Sequence, residues 1–85
     1  MQKVRHTLVR AVIFQDSDLW VAQCLEYDIG AQAPDLETLQ SRLGLVIRAE
    51  LLTSLEMGNE PFGGINAAPK RFFDMWEGRL PSNRG

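Results

Sequence analysis

From Leu36 to Leu52 this chain carries apolar residues on two sides of one helical period. One stripe is Leu36, Leu39, Leu43, Val46, Ile47 and Leu51, spaced so that the side chains share a helix face. Leu45, Ala49 and Leu52 recur at the same spacing but lie largely opposite. A helix that is apolar nearly all round needs cover on both sides. One side must meet a sheet. The other must meet a later segment of the chain or another subunit.

The borders of this helix carry their own signals. Asp35 after Pro34 has the chemistry of an N-cap, and Glu37 and Thr38 suit a first turn. The periodicity runs to about Met57, and Gly58 is a usual stop. Gly44 inside the helix costs about 1 kcal/mol relative to alanine. A glycine there often admits close approach of another backbone.

Upstream, Arg5 to Gln15 is rich in β-branched and apolar residues and reads as a strand. Leu8, Val12 and Phe14 share one face with Arg10, and Val9, Ala11 and Ile13 share the other. Apolar residues on both faces predict a strand covered on both sides over part of its length. Asp16-Ser17-Asp18 is a polar turn, and Trp20 to Leu25 is the antiparallel return strand. Glu26-Tyr27-Asp28 turns again into a short third strand at Ile29 to Ala33.

Downstream, Gly58 to Asn66 is a loop by its glycine and proline content. Pro69 then opens a short helix, Lys70 to Glu77, with Phe72, Phe73, Met75 and Trp76 as an aromatic face. The favoured reading packs this face on the second stripe of the long helix. The alternative makes Leu45, Ala49, Leu52, Phe72, Met75 and Trp76 a subunit contact. The whole is an α+β domain over 1–85: three antiparallel strands, one long helix across them and a short C-terminal helix. Its core spans about 5–57, its loop and aromatic helix 58–80, and a frayed tail 81–85.

An 85-residue chain with 45% apolar residues is a small globular domain, for which oligomerisation is a common remedy. The net charge of −2 and the scatter of the basic residues argue against nucleic-acid binding by bulk charge. Arg5 and Arg10 are the weak candidates for it. The lone cysteine, Cys24, excludes an intrachain disulfide and fits a reducing, cytoplasmic compartment. No apolar run approaches the roughly 20 residues needed to span a bilayer.

Catalytic chemistry finds little here. Glu26 and Asp28 are weak metal candidates, because hard cations take oxygen ligands, but both suit a turn. His6 has no nucleophile fixed beside it by sequence. Cys24 sits in an apolar strand, where a free thiol behaves as a small hydrophobe. Gly58, Gly63 and Gly64 lack the Lys-Ser/Thr pair and the spacing of a phosphate loop. No cofactor is expected.

The segment Trp20-Val21-Ala22-Gln23-Cys24-Leu25-Glu26-Tyr27-Asp28-Ile29, with Gln32-Ala33 and Asp35-Leu36-Glu37-Thr38-Leu39, resembles the HicB-like antitoxin family. The likeness covers roughly residues 7–56. It implies a partial ribonuclease-H-like fold and a non-enzymatic interaction module. Such antitoxins neutralise HicA, a small mRNA-cleaving toxin, so a toxin protein becomes an expected partner beside a homo-oligomer, dimer or tetramer. The chain after Gly58 has no room for a full helix-turn-helix, so operator binding is not expected. A solitary oligomeric relative is the alternative, with a metal-dependent nuclease or a nucleic-acid binder behind it.

Overall fold

The computed structural model describes residues 2–5, 9–58 and 60–78. His6, Leu8 and the tail 81–85 lie outside the described residues. Four strands come first: β1 (Gln2–Arg5), β2 (Arg10–Asp16), β3 (Leu19–Cys24) and β4 (Gly30–Ala33). They pair antiparallel in sequence order. The helices α1 (Leu36–Glu56) and α2 (Lys70–Glu77) follow.

The sheet therefore has four strands, where the sequence predicts three. The stretch expected as one strand from Arg5 is two: β1 ends at Arg5, which pairs with Arg10 at the start of β2. Gln2-Lys3-Val4-Arg5 has no apolar alternation to announce a strand. Its strand form comes from its ladder with β2, with Gln2 opposite Ile13 and Val4 opposite Ala11. As an edge strand with exposed Lys3 and Arg5, β1 has the charges that discourage edge-to-edge pairing.

The alternation of β2 splits the interior in two. Val9, Ala11 and Ile13 join Ala22, Cys24, Ala33, Leu39, Leu43 and Ile47 in the cluster under α1. Val12 and Leu25 join Ala68 and Phe72 in a second cluster, with Phe14, Phe73, Met75 and Trp76 packed against it. Because successive strand side chains point to opposite faces, α1 and α2 lie on opposite sides of the sheet. The two-sided strand is thus observed. The packing expected of α2 is not: α2 meets β2, and the second stripe of α1 is left outside. The physical reason is the other face of the hairpin, where Val12, Phe14 and Leu25 need cover.

Local chemistry explains the boundaries. Asp35 accepts a 2.7 Å hydrogen bond from the Thr38 backbone N–H and caps α1. At the far end Met57 N–H donates to the Thr53 carbonyl, and Gly58 takes the left-handed conformation that ends helices, φ 76°. Gly44 admits no second backbone: a Cβ built there meets only the Arg48 Nη2, at 3.9 Å. The loop before α2 is bound to the turn after β3. Asp28 N–H donates to the Asn66 carbonyl, and Ala68 N–H to the Leu25 carbonyl. Phe62 within that loop has φ 59°, an uncommon conformation for a bulky residue. It is nonetheless 1% exposed and stacks on Tyr27 with ring centroids 4.6 Å apart. Burial of the ring offsets the backbone cost.

Candidate protein-interaction surface

The inner face of α1 is set by Leu39, Leu43 and Ile47, all buried, with Leu36, Val46 and Leu51 packed beside them. At 3.6 residues per turn, that choice turns Leu45 and Leu52 outward. Leu45 is 61% exposed, Leu52 55% and Leu55 53%, and Ala49 between them is exposed. Met57, at the C-cap of the helix, is exposed as well. Single exposed leucines are ordinary, but several on one helix face form a contiguous apolar strip. Arg42 and Glu56 stand at its ends, both exposed. Arg42 also ties the helix to the sheet, its Nη1 donating 2.8 Å to the Gln32 carbonyl of β4. The hydrogen bonds from Thr38, with Arg42 adding attraction, hold the Asp35 carboxyl below its usual range.

The other expected interaction residues lie elsewhere. Phe72 is buried against β2, and Met75 and Trp76 are half-buried there. Phe72 stacks on Phe14 at 6.2 Å between centroids. These three side chains serve the second core, and they do not join Leu45, Ala49 and Leu52.

The Arg5 and Arg10 pair, by contrast, is brought to the aromatic helix. Arg5, Arg10 and Lys3 each place a cation over the Trp76 ring, at 5.6, 5.3 and 5.6 Å from its centroid. Lys3 was not among the residues singled out by sequence, because only the β1 ladder brings it there. Arg10 is further committed to Glu26, its backbone N–H and its Nε donating to the two carboxylate oxygens at 2.7 and 2.6 Å. Partial burial pushes the Glu26 carboxyl up, yet the hydrogen bonds and charge of Arg10 outweigh it and hold Glu26 below its ordinary value. Asp28 accepts from the Gln23 side-chain amide at 2.9 Å. Glu26 and Asp28 therefore work as ties within the turn. Among the described residues no group of three His, Cys, Asp or Glu side chains gathers to hold a metal ion.

Two grooves flank the helices. One, about 220 Å³, runs between α1 and β2 and is lined by Val9, Ala11, Ile13, Gln40, Leu43, Gly44 and Ile47. It is apolar apart from Gln40, and Gly44 opens its wall. The other, about 480 Å³, lies beside α2 on the opposite sheet face, with Phe14, Val21, Phe72 and Met75 among Asp16, Gln23, Gln32 and Arg71. Neither lining contains a serine, threonine, cysteine or histidine to act as nucleophile or base. Cys24 is fully buried, and desolvation, with the Glu26 charge adding, pushes its thiol up to about 11. A thiol so placed is inert.

Among the described residues no helix is long and apolar enough to cross a membrane. Compared with known proteins, the chain matches no family model, no curated protein sequence and no solved structure.

Proposed function

We propose that this chain is a non-enzymatic protein-interaction module of HicB-like type, whose working surface is the outer face of α1. The observation that supports it is the strip Leu45, Ala49, Leu52 and Leu55, left exposed after both faces of the sheet have taken their helices. A small domain with so few buried side chains gains from covering such a strip with protein. The partners are a further copy of the chain and a small toxin of HicA type, which the antitoxin would neutralise. The order of strands and long helix is compatible with a partial ribonuclease-H-like fold, and the lone buried thiol with the cytoplasm. A HicB-like solitary oligomer is the same surface without the toxin.

The test is co-expression of the chain with the product of the neighbouring reading frame, followed by size-exclusion chromatography with light scattering. A mass above that of the monomer, reduced by Leu52→Glu, is the expected result. A monomer without partner, unchanged by Leu52→Glu, would overturn the reading.

One observation favours a second reading. Three cations over a half-buried indole form the mixed basic and aromatic surface that single-stranded nucleic acid uses. Titration with oligothymidylate at low salt, read by tryptophan fluorescence, would show saturable quenching that salt removes. No quenching at low salt dismisses it.

A further inference from the structure

We propose that the outer face of α1 docks on the same face of a second copy of this chain, antiparallel, with the two-fold axis at Ala49. This deepens the interaction-surface reading, on which it rests, by naming the occupant and its register. Arg42, Leu45, Ala49, Leu52 and Glu56 are all exposed on α1. They stand seven and four residues before Ala49, and three and seven after it. Those steps follow one line along a helix. The line is nearly symmetric about Ala49 in shape and opposite in charge at its two ends.

A two-fold interface requires a patch complementary to itself. An axis through Ala49 supplies it. Each Leu45 meets the partner's Leu52, and each Arg42 meets the partner's Glu56. The methyl side chain of Ala49 lets the two helix backbones approach at the centre. A parallel pair in register would set arginine on arginine and glutamate on glutamate, so the charges select the antiparallel arrangement. The hydrogen bond from Arg42 Nη1 to the Gln32 carbonyl leaves other guanidinium N–H groups for the carboxylate. Arg48 lies about 80° round the helix from the line, at the rim, where it can turn into water.

The partner is thus a copy and not an unrelated protein, because an unrelated partner would not require this internal symmetry. One helix face is a small interface, at the low end of roughly 1,200 Å² for stable complexes, so the association is reversible and concentration-dependent.

The experiment is sedimentation equilibrium on the full chain, over a wide concentration range, with charge-swapped variants. Arg42→Glu alone and Glu56→Arg alone each set like charges together twice per dimer, and each weakens self-association at least tenfold. Mixing the two variants pairs an acidic strip with a basic one and restores a dimer. The double variant R42E/E56R restores a homodimer. Both sites are exposed, and circular dichroism checks that each variant is folded. Wild-type self-association unaffected by either single variant, or variants that fail to recover on mixing, would overturn the antiparallel register. If Leu52→Glu still abolishes self-association in that case, the outer face of α1 remains the interface. A wild type monomeric at every concentration overturns the self-pairing, and the interaction reading then stands only if Leu52→Glu loses a different protein partner.

Discussion

Two leucines of α1, thirteen residues apart, should respond differently to truncation. Leu39 is fully buried against the sheet. Replacing it with alanine removes apolar surface and leaves a cavity, a loss of about 3 kcal/mol. Leu52 is 55% exposed, so about half of its side chain is still in water in the single chain. Leu52→Ala there should change stability by no more than about 0.5 kcal/mol, since surface substitutions are near neutral and alanine favours helix. If a second copy covers the strip, the remaining half is buried on docking. Full burial of a leucine is worth about 1.5–3 kcal/mol, so the docked half contributes about 1 kcal/mol per chain. Urea unfolding, followed by tryptophan fluorescence, can be run at two protein concentrations a hundredfold apart. Leu39→Ala should cost the same at both. Leu52→Ala should be nearly silent when dilute and cost about 1 kcal/mol more when concentrated, as binding linkage demands. A cost above about 2 kcal/mol at both concentrations would place Leu52 in the core of the single chain. A silent substitution at both would mean that nothing covers it.

Two titrations follow from the interior. Arg10 holds the Glu26 carboxyl below its ordinary value of 4.5, so the contact stabilises the fold above that pH and is lost as pH falls through the lower, folded value. Glu26→Gln should cost about 1 kcal/mol at neutral pH, discounted for the partial exposure of the pair, and the difference from wild type should vanish in acid; a gap that persists in acid refutes the pairing. Cys24 is raised from 9.0 to about 11 by burial, with Glu26 adding. Its neutral thiol favours the fold below pH 9, and that contribution, about 2–3 kcal/mol, is lost as pH rises toward 11. Native protein should react with iodoacetamide only as fast as it unfolds, and rapid native labelling would contradict the burial.

The long helix was legible because its cap, its period and its stop agree: Asp35, the Leu39-Leu43-Ile47 stripe and Gly58 act locally. So was the second face of β2, since alternation alone puts Val12 and Phe14 opposite Ala11 and Ile13. What escaped depends on distant partners. Gln2 to Arg5 becomes a strand only through its ladder with β2, which no local pattern announces. The aromatic face of α2 had two apolar surfaces to choose from, and nothing in its own residues says which one it covers. Sheet geometry decides, placing Phe72 on Phe14 rather than on Leu45. Phe62 was hidden among glycines and a proline, yet it closes the core beside Tyr27. For the interaction surface, Leu45, Ala49 and Leu52 were readable from spacing, whereas the gathering of Lys3, Arg5 and Arg10 at Trp76 was not.

Both sheet faces are occupied by helices of the same chain, so the surplus apolar surface is carried by a helix and not by the sheet. A helix face is straight and carries its charges at fixed steps, which makes register a matter of sequence.

The most direct measurement is oxidative cross-linking of Ala49→Cys. A two-fold axis at Ala49 brings the two introduced thiols within the roughly 4.4–6.8 Å between Cα atoms that a disulfide spans. The native Cys24 is fully buried and does not compete. The account predicts a covalent dimer under mild oxidation, formed much faster than with Glu37→Cys at the start of the helix. An Ala49→Cys protein that stays monomeric on oxidation, its thiol freely alkylated, would contradict it.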